Sequence, residues 1–210
     1  MSRQAIIELH YFPSIPYIAS WMHYDEIIIE SKESYAKQTF RNRCQIKTAN
    51  KVEDLIVPIQ KGNSNIPIQE IRIDYQQTWL KDHWGAIQSA YGKAPFFEHY
   101  REDVEKILNK QPRFLFDLNL QILEHILDIL NINKKMIFSQ KYEKIYPANI
   151  SDLRSSIHPK QDLEKISFYH PVEYIQVFGD QFISNLSILD VIFCEGPNSR
   201  KIILESISHF

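Results

Sequence analysis

Cysteine, glycine and long apolar runs are all scarce in this sequence of 210 residues. Its two cysteines, Cys44 and Cys194, lie in unrelated contexts and match neither a paired-spacing zinc motif nor a disulfide framework. That usage is typical of a protein of the reducing cytosol. No apolar run is long enough to span a membrane, and the one near the N-terminus is too short for a signal peptide. We therefore expect a cytoplasmic protein without a membrane span.

An excess of charge of one sign is also absent, because 24 basic residues nearly cancel 26 acidic ones. Nonspecific nucleic-acid binding requires a strongly basic field, so we expect no nucleic-acid partner, and any anion site must be local. The chain has no P-loop, no nucleophile elbow and no metal-ligand spacing, so we predict no metal and no cofactor. It has no repeat and no Gly/Ser-rich linker, which favours one domain over residues 1–210. The oligomeric state stays open.

Short apolar segments alternate with helical ones at the start of the chain. The segment QAIIEL predicts a buried strand, YIASWMHY a helix, and EIIIES a second strand. This order is that of a βαβ unit, in which the strands are parallel and the crossover is right-handed. Ligands of open α/β sheets bind outside the carboxyl ends of the strands. Residues 10–17 and the chain just after Glu30 should therefore lie at one edge of the sheet.

The middle of the chain has helical periodicity. From Thr78 onward, apolar residues recur at spacings of four, three and four, and two further helical patterns follow up to residue 130. KKMIFSQ then predicts a returning strand, residues 142–165 are the least regular, and Ser187 with Asp190 predicts a capping box that starts a late helix. We predict an α/β fold with a mixed, largely parallel sheet, a Rossmann-like N-terminal βαβ unit and a helical insertion at about residues 78–130. Two loosely joined subdomains are the alternative.

Basic residues are concentrated in KQTFRNRCQIKT, residues 37–48. We predict a strand over residues 38–48, with EDLIVPIQ as its partner. Alternation would place Arg41 and Arg43 on one face and Asn42, Cys44 and Ile46 on the other, where burial of the thiol is expected. A guanidinium offers two aligned donors to a phosphate or carboxylate, so Arg41, Asn42 and Arg43 are candidates for binding an anionic small molecule. The alternative is a solvated strand face paired with Glu30 or Glu33.

Several blocks, taken together, resemble the WbqC-like protein family of bacteria. They are HYFPSIPYIA, RNRCQI with VPI, HWGAIQSAYGKAPFF, and HPVEYIQVFGDQFISNLSILDVIFCEGP. DLRSSIHPK resembles the subgroup common in Bacteroidetes, whereas Pro16 stands where the family often has glycine. The segment between Ser139 and His170 is shorter than in longer members. The resemblance implies a role in O-antigen or other surface-polysaccharide synthesis, with a transferase that moves an acyl or aminoacyl group onto an activated sugar.

Two histidines are candidate catalytic residues. His10 directly follows the first strand, although a plain loop made rigid by prolines would explain that block equally well. His83 lies on a flank of the apolar stripe, from which an imidazole could reach a cleft as a general base; a structural histidine is the alternative.

The remaining candidates for binding the sugar or its phosphates are Tyr11, Lys93 and His170, which lie in the same blocks, and Trp79, which lies one helical turn before His83. Arg154 and His158 lie in the irregular segment, where a loop could cover a site. A transferase that acts on a nucleotide-linked or phosphorylated sugar is the first hypothesis. A non-catalytic binding or accessory protein of polysaccharide assembly is the second.

Overall fold

The structure is a computed structural model that describes residues 2–60, 65–161, 165–179 and 181–208. Its strands, in chain order, are β1 (Gln4–Ile7), β2 (Glu26–Ile29), β3 (Arg43–Lys47), β4 (Val52–Ile56), β5 (Ile137–Phe138) and β6 (Ile150–Asp152). Its helices are α1 (Ile15–His23), α2 (Trp79–Tyr91), α3 (Phe97–Asn109), α4 (Leu115–Ile129), α5 (Ile188–Glu195) and α6 (Ser199–Glu205).

Four strands form a parallel sheet in the order β5-β2-β1-β6. The β-branched runs of β1 and β2 pair directly, with Gln4 opposite Glu26, and α1 makes the crossover between them. The predicted α/β fold and its N-terminal βαβ unit are therefore confirmed. The chain proceeds outward from β1 through β2 to β5 and then returns to the other side of β1. The strand order thus reverses between β1 and β6, and in open α/β sheets ligands bind at such a point, outside the carboxyl ends of the strands.

The helical insertion consists of α2, α3 and α4, as expected. Its apolar stripe packs inward, and Ile87 and Tyr91 are fully buried in the same core as Ile7 and Val191. The C-terminal part of the chain also contacts the N-terminal part, because the Ile188 N–H donates to the Pro13 carbonyl at 2.7 Å. Strands, insertion and late helices therefore share one hydrophobic core.

One strand begins later than predicted. The strand expected over residues 38–48 begins only at Arg43, because residues 37–42 form turns. The stretch 142–165, predicted to be the least regular, contains β6, whose three residues are too short to produce a recognisable periodicity. A short 3₁₀ turn lies at Ile68–Glu70.

The late helix begins where it was predicted, but its cap differs. Ser187 is the N-cap of α5, and its Oγ accepts from the Leu189 N–H at 3.3 Å. The Asp190 carboxylate is not part of a reciprocal box, because it accepts from Tyr174 and Gln176 at 2.6 and 3.0 Å. The aspartate therefore anchors the segment that precedes the helix.

Candidate functional site

Charged side chains meet at the carboxyl edge of the parallel sheet. Glu8 follows β1, Glu30 follows β2, Ser139 follows β5, and Arg154 lies two residues after β6. Because parallel strands all end at the same edge, these side chains converge although they are distant in sequence. We call Glu8, His10, Glu30, Glu33, Arg41 and Arg154 the rim cluster.

Glu8 lies at the centre of the rim cluster and is 1% exposed. Its two carboxylate oxygens accept from the Ser155 N–H at 3.0 and 3.1 Å. Arg41 Nη1 lies 3.1 Å and His10 Nε2 lies 3.4 Å from Glu8 Oε1. Burial raises the pKa of Glu8, but the contact with His10 and the charge of Arg41 outweigh burial and lower this pKa to about 2. Glu8 is therefore ionised at neutral pH.

Arg41 is held by a second carboxylate. Its Nε and Nη2 donate to the two oxygens of Glu33, each at 2.7 Å, in a bidentate pair. Asn119 in α4 donates to the Arg41 carbonyl at 2.7 Å, which ties the insertion to this turn. Burial raises the pKa of Glu33, although Arg41 opposes that shift. The guanidinium thus faces two protein carboxylates. The pair with Glu33 that the sequence offered as an alternative to anion binding is present, but it is buried rather than solvated.

The prediction that Arg41 and Arg43 lie on one face of a strand is wrong. Arg41 lies in a turn and is 1% exposed, whereas Arg43 is in β3 and its Nη1 lies 3.3 Å from Asp54. The pleat cannot align the two arginines, since only Arg43 belongs to the strand. Asn42 is buried between them and donates to the Val57 carbonyl at 2.8 Å, which joins its turn to the end of the hairpin.

Glu30 has its own partners at the edge of the sheet. Ser139 Oγ donates to one of its oxygens at 2.6 Å, and Arg154 Nη1 donates to the other at 3.1 Å. The Arg154 guanidinium also pairs with Asp152 and lies 4.9 Å from the ring centroid of Tyr146. Arg154 thereby connects the end of β6 to the end of β2.

His10 is enclosed by this arrangement. It is 1% exposed, its ring centroid lies 4.6 Å from that of Tyr17, and neither ring nitrogen makes a well-formed hydrogen bond with a described residue. Burial lowers its pKa, although the adjacent Glu8 opposes that shift. The imidazole is therefore neutral at pH 7 and has a carboxylate in place to stabilise its protonated form.

His158 lies within electrostatic range of basic side chains near the rim cluster. Burial lowers the pKa of His158, the positive charges of Lys160, Arg41 and Arg43 lower it further, and Glu8 opposes this shift. Lys160 Nζ donates to Gln38 Oε1 at 2.9 Å, so residues 153–161 contact the turn that contains Arg41. This segment also contains Ser155, and it therefore lies across Glu8.

His83 belongs to a separate aromatic group. Its Nδ1 lies 2.9 Å from the Tyr11 hydroxyl, it has a hydrogen bond with the Ile56 backbone, and the Trp79 ring centroid is 5.1 Å from its own. Burial lowers the pKa of His83 to about 4 despite that backbone contact. His83, Tyr11 and Trp79 are all buried, so they connect α2 to the hairpin and to the loop after β1.

Two further candidates lie outside the rim cluster. Lys93 is exposed just beyond the end of α2. His170 is exposed too, and its Nδ1 lies 3.4 Å from Ser208 Oγ, beside the end of α6. The candidate residues thus separate into a rim group that contains His10 and Arg41, an aromatic group around His83, and these two outlying residues.

Three residues of the rim cluster, Glu8, Glu30 and Glu33, were not candidate site residues from sequence, and neither was Ser155, whose backbone contacts Glu8. A signal for two of them was present, since Glu8 and Glu30 each directly follow an apolar strand of a predicted parallel sheet. Ser155 left no signal, because its contact with Glu8 is made by the backbone N–H.

The fold and the cluster define an α/β protein with a buried, charged site at the carboxyl edge of a parallel sheet. The sequence profile of the WbqC-like protein family matches residues 9–165, and the chain belongs to this family. An uncharacterized protein of Mycobacterium tuberculosis, Rv1507c, is 33% identical over 145 residues, which is 68% of this chain and 62% of the relative's length. No solved structure matches the chain. Within the described ranges, no helix is both long and apolar enough to cross a membrane.

Proposed function

We propose that this chain is a group transferase that moves an acyl or aminoacyl group onto a nucleotide-linked or phosphorylated sugar in the synthesis of a bacterial surface polysaccharide. The polysaccharide setting follows from what the resemblance to the WbqC-like family implies. The observation that carries the catalytic part is the contact of 3.4 Å between His10 Nε2 and Glu8 Oε1 at the carboxyl end of β1. A histidine held against a buried carboxylate is the arrangement used by many general bases.

In this proposal His10 takes a proton from the attacking amine or hydroxyl of the sugar. The new bond forms between that nitrogen or oxygen and the acyl carbon, while the bond from the acyl carbon to the donor's leaving group breaks. His10 then returns the proton to the leaving group. Glu8 remains ionised throughout and stabilises the imidazolium, because its low pKa keeps it charged near neutral pH.

The phosphate groups of the substrate are assigned to the basic side chains near His158. Both carboxylates that face Arg41 occupy its guanidinium, so the arginine is better placed to position Glu8 than to bind substrate. Arg43 and Lys160 are more accessible than Arg41. Arg43 therefore keeps its predicted role in binding an anion, whereas Arg41 becomes a positioning residue.

Access to His10 requires residues 153–161 to move. The Ser155 N–H is bound to Glu8, and the imidazole of His10, which contacts Glu8, is 1% exposed. The contacts of the segment at this point are polar, and water or a substrate could replace them. Binding of an anion to Arg43 and Lys160 would draw the segment away from Glu8 and expose the base.

The test is to incubate the pure protein with nucleotide-activated amino sugars together with acyl or aminoacyl donors, and to search for the acylated sugar by mass spectrometry. Product is expected from the wild type and from His99→Gln, a control because His99 is exposed on α3. Product should fall by at least a hundredfold in His10→Gln, which is a typical loss on removing a general base. A His10→Gln variant as active as the control would refute the assignment.

A non-catalytic accessory protein is the second candidate function. The near-complete burial of His10 and the ion pairs of Arg41 with Glu8 and Glu33 favour it, because a static site of this kind needs no proton transfer. Tight binding of a sugar nucleotide, with no product from any donor and with equal affinity in His10→Gln, would support this alternative.

A further inference from the structure

A pocket of about 520 Å³, open to solvent and called the cavity below, lies beside the rim cluster and is lined in part by residues 137–150. Ile28 of β2, Ile137 of β5 and Ile150 of β6 contribute to its wall, together with Ile145 and Pro147 of the overlying segment. Volumes of this size hold small organic ligands. The wall is mainly apolar and includes the aromatic residues Phe138 and Tyr146. The sheet is bordered here by irregular chain rather than by a helix.

Some of the polar groups that line this cavity have partners. Ser139 Oγ donates to Glu30, and Lys141 Nζ lies 2.5 Å from Glu143 Oε1. The Tyr146 ring lies against the Arg154 guanidinium. Apolar atoms contribute most of the lining surface, so the ring atoms of a nucleobase or a sugar would lose hydrogen bonds with water on entering.

From these observations, we propose that the cavity binds the aliphatic chain of an acyl donor. Ser139 belongs both to the cavity wall and, through its bond to Glu30, to the edge of the rim cluster. The cavity and the candidate catalytic site are thus adjacent at the carboxyl edge of the sheet. This inference rests on the proposed acyl transfer for its biological meaning, and it names the substrate class as a donor with an extended apolar chain.

The test measures binding directly and needs no turnover. Protein labelled with ¹³C at its isoleucine methyl groups is titrated with S-octanoyl-N-acetylcysteamine and with S-acetyl-N-acetylcysteamine, which have the same head and differ only in chain length. The methyl signals of Ile28, Ile137, Ile145 and Ile150 should shift with the octanoyl compound. Each buried methylene should tighten binding by about fourfold, so the acetyl compound should bind far more weakly.

Two matched variants locate the site. Ile145→Trp fills the cavity from a position that is 82% exposed, so the fold should tolerate it, and we expect at least tenfold weaker binding of the octanoyl compound. Ile175→Trp is the control, because Ile175 is similarly exposed and lies outside this cavity. Unshifted cavity methyls, equal weakening by both substitutions, or shifts caused by uridine but not by the octanoyl compound would overturn the inference.

The outcomes separate this inference from the proposed function. Binding of the octanoyl compound without any acylated sugar would support the acyl-chain site and refute the transfer reaction. Formation of an acylated sugar without cavity shifts would support the transferase and refute the acyl-chain site.

Discussion

Replacing Glu8 by glutamine should remove a stabilising charge whose contribution depends on pH. The carboxyl has a pKa of about 2 in the folded protein, against an ordinary value of 4.5. At about 1.4 kcal/mol per pKa unit, this difference corresponds to roughly 3 kcal/mol of stability at neutral pH. Because the folded pKa is lowered, the contribution is complete above pH 4.5 and is lost as the pH falls toward 2. By pH 3, roughly 2 kcal/mol of it should be gone.

The assay is urea unfolding of the wild type and of Glu8→Gln at pH 7 and pH 3. The difference in the free energy of unfolding between the two proteins should be roughly 2 kcal/mol smaller at pH 3 than at pH 7. Taking the difference cancels the titration of all other carboxylates that behave alike in both proteins. Glu98→Gln is the control, because Glu98 lies on the surface of α3 and should show only a small change. A gap between wild type and Glu8→Gln that is the same at both pH values would refute the buried ion-pair argument.

Four further substitutions, one of them used only in a double mutant, test the packing around the site and the helices. Arg41→Met should reduce the free energy of unfolding by about 3–5 kcal/mol, because it leaves buried carboxylates without a counter-charge. Adding Glu33→Gln should restore part of this loss. If urea unfolding shows that the effects of the two substitutions are strictly additive, the pairing of Arg41 with Glu33 is contradicted. Gly196→Ala should destabilise the protein by more than about 1 kcal/mol, since Gly196 has φ +52° and an added Cβ would lie 2.4 Å from the Phe96 ring. An unchanged melting temperature would refute this prediction. Gly85→Ala in α2 should instead stabilise by about 0.5–1 kcal/mol, because an added methyl there meets no atom of a described residue within 4 Å. A lower melting temperature would contradict this expectation.

Features with a local pattern were predictable. The βαβ unit followed from two β-branched runs on either side of one helical segment, and the insertion followed from an apolar stripe with helical spacing. Burial of Cys44 also followed from its alternation with Ile46, and both are buried in β3. In these cases the residues that determine the structure are neighbours in the sequence.

The arginine pair could not be assigned correctly in this way. Arg41 and Arg43 are separated by one residue, so a strand pattern aligns them, but the turn that ends at Asn42 sends Arg41 inward to Glu33 and Glu8. Whether the chain forms a turn or a strand there depends on contacts such as the Asn119 side chain with the Arg41 carbonyl. Such contacts involve residues that are far apart in sequence and leave no periodicity.

The sequence by itself determined the α/β class, the helical insertion and the sheet edge at which polar side chains would collect, because each depends on short-range periodicity and on the direction of parallel strands. Only the tertiary structure decided which of those side chains meet. The Ser155 N–H reaches Glu8 because β6 adds to the side of β1 opposite β2, and strand order is a long-range choice. The carboxylates that enclose Arg41 likewise come from the ends of two different strands, so their pairing depends on the folded sheet.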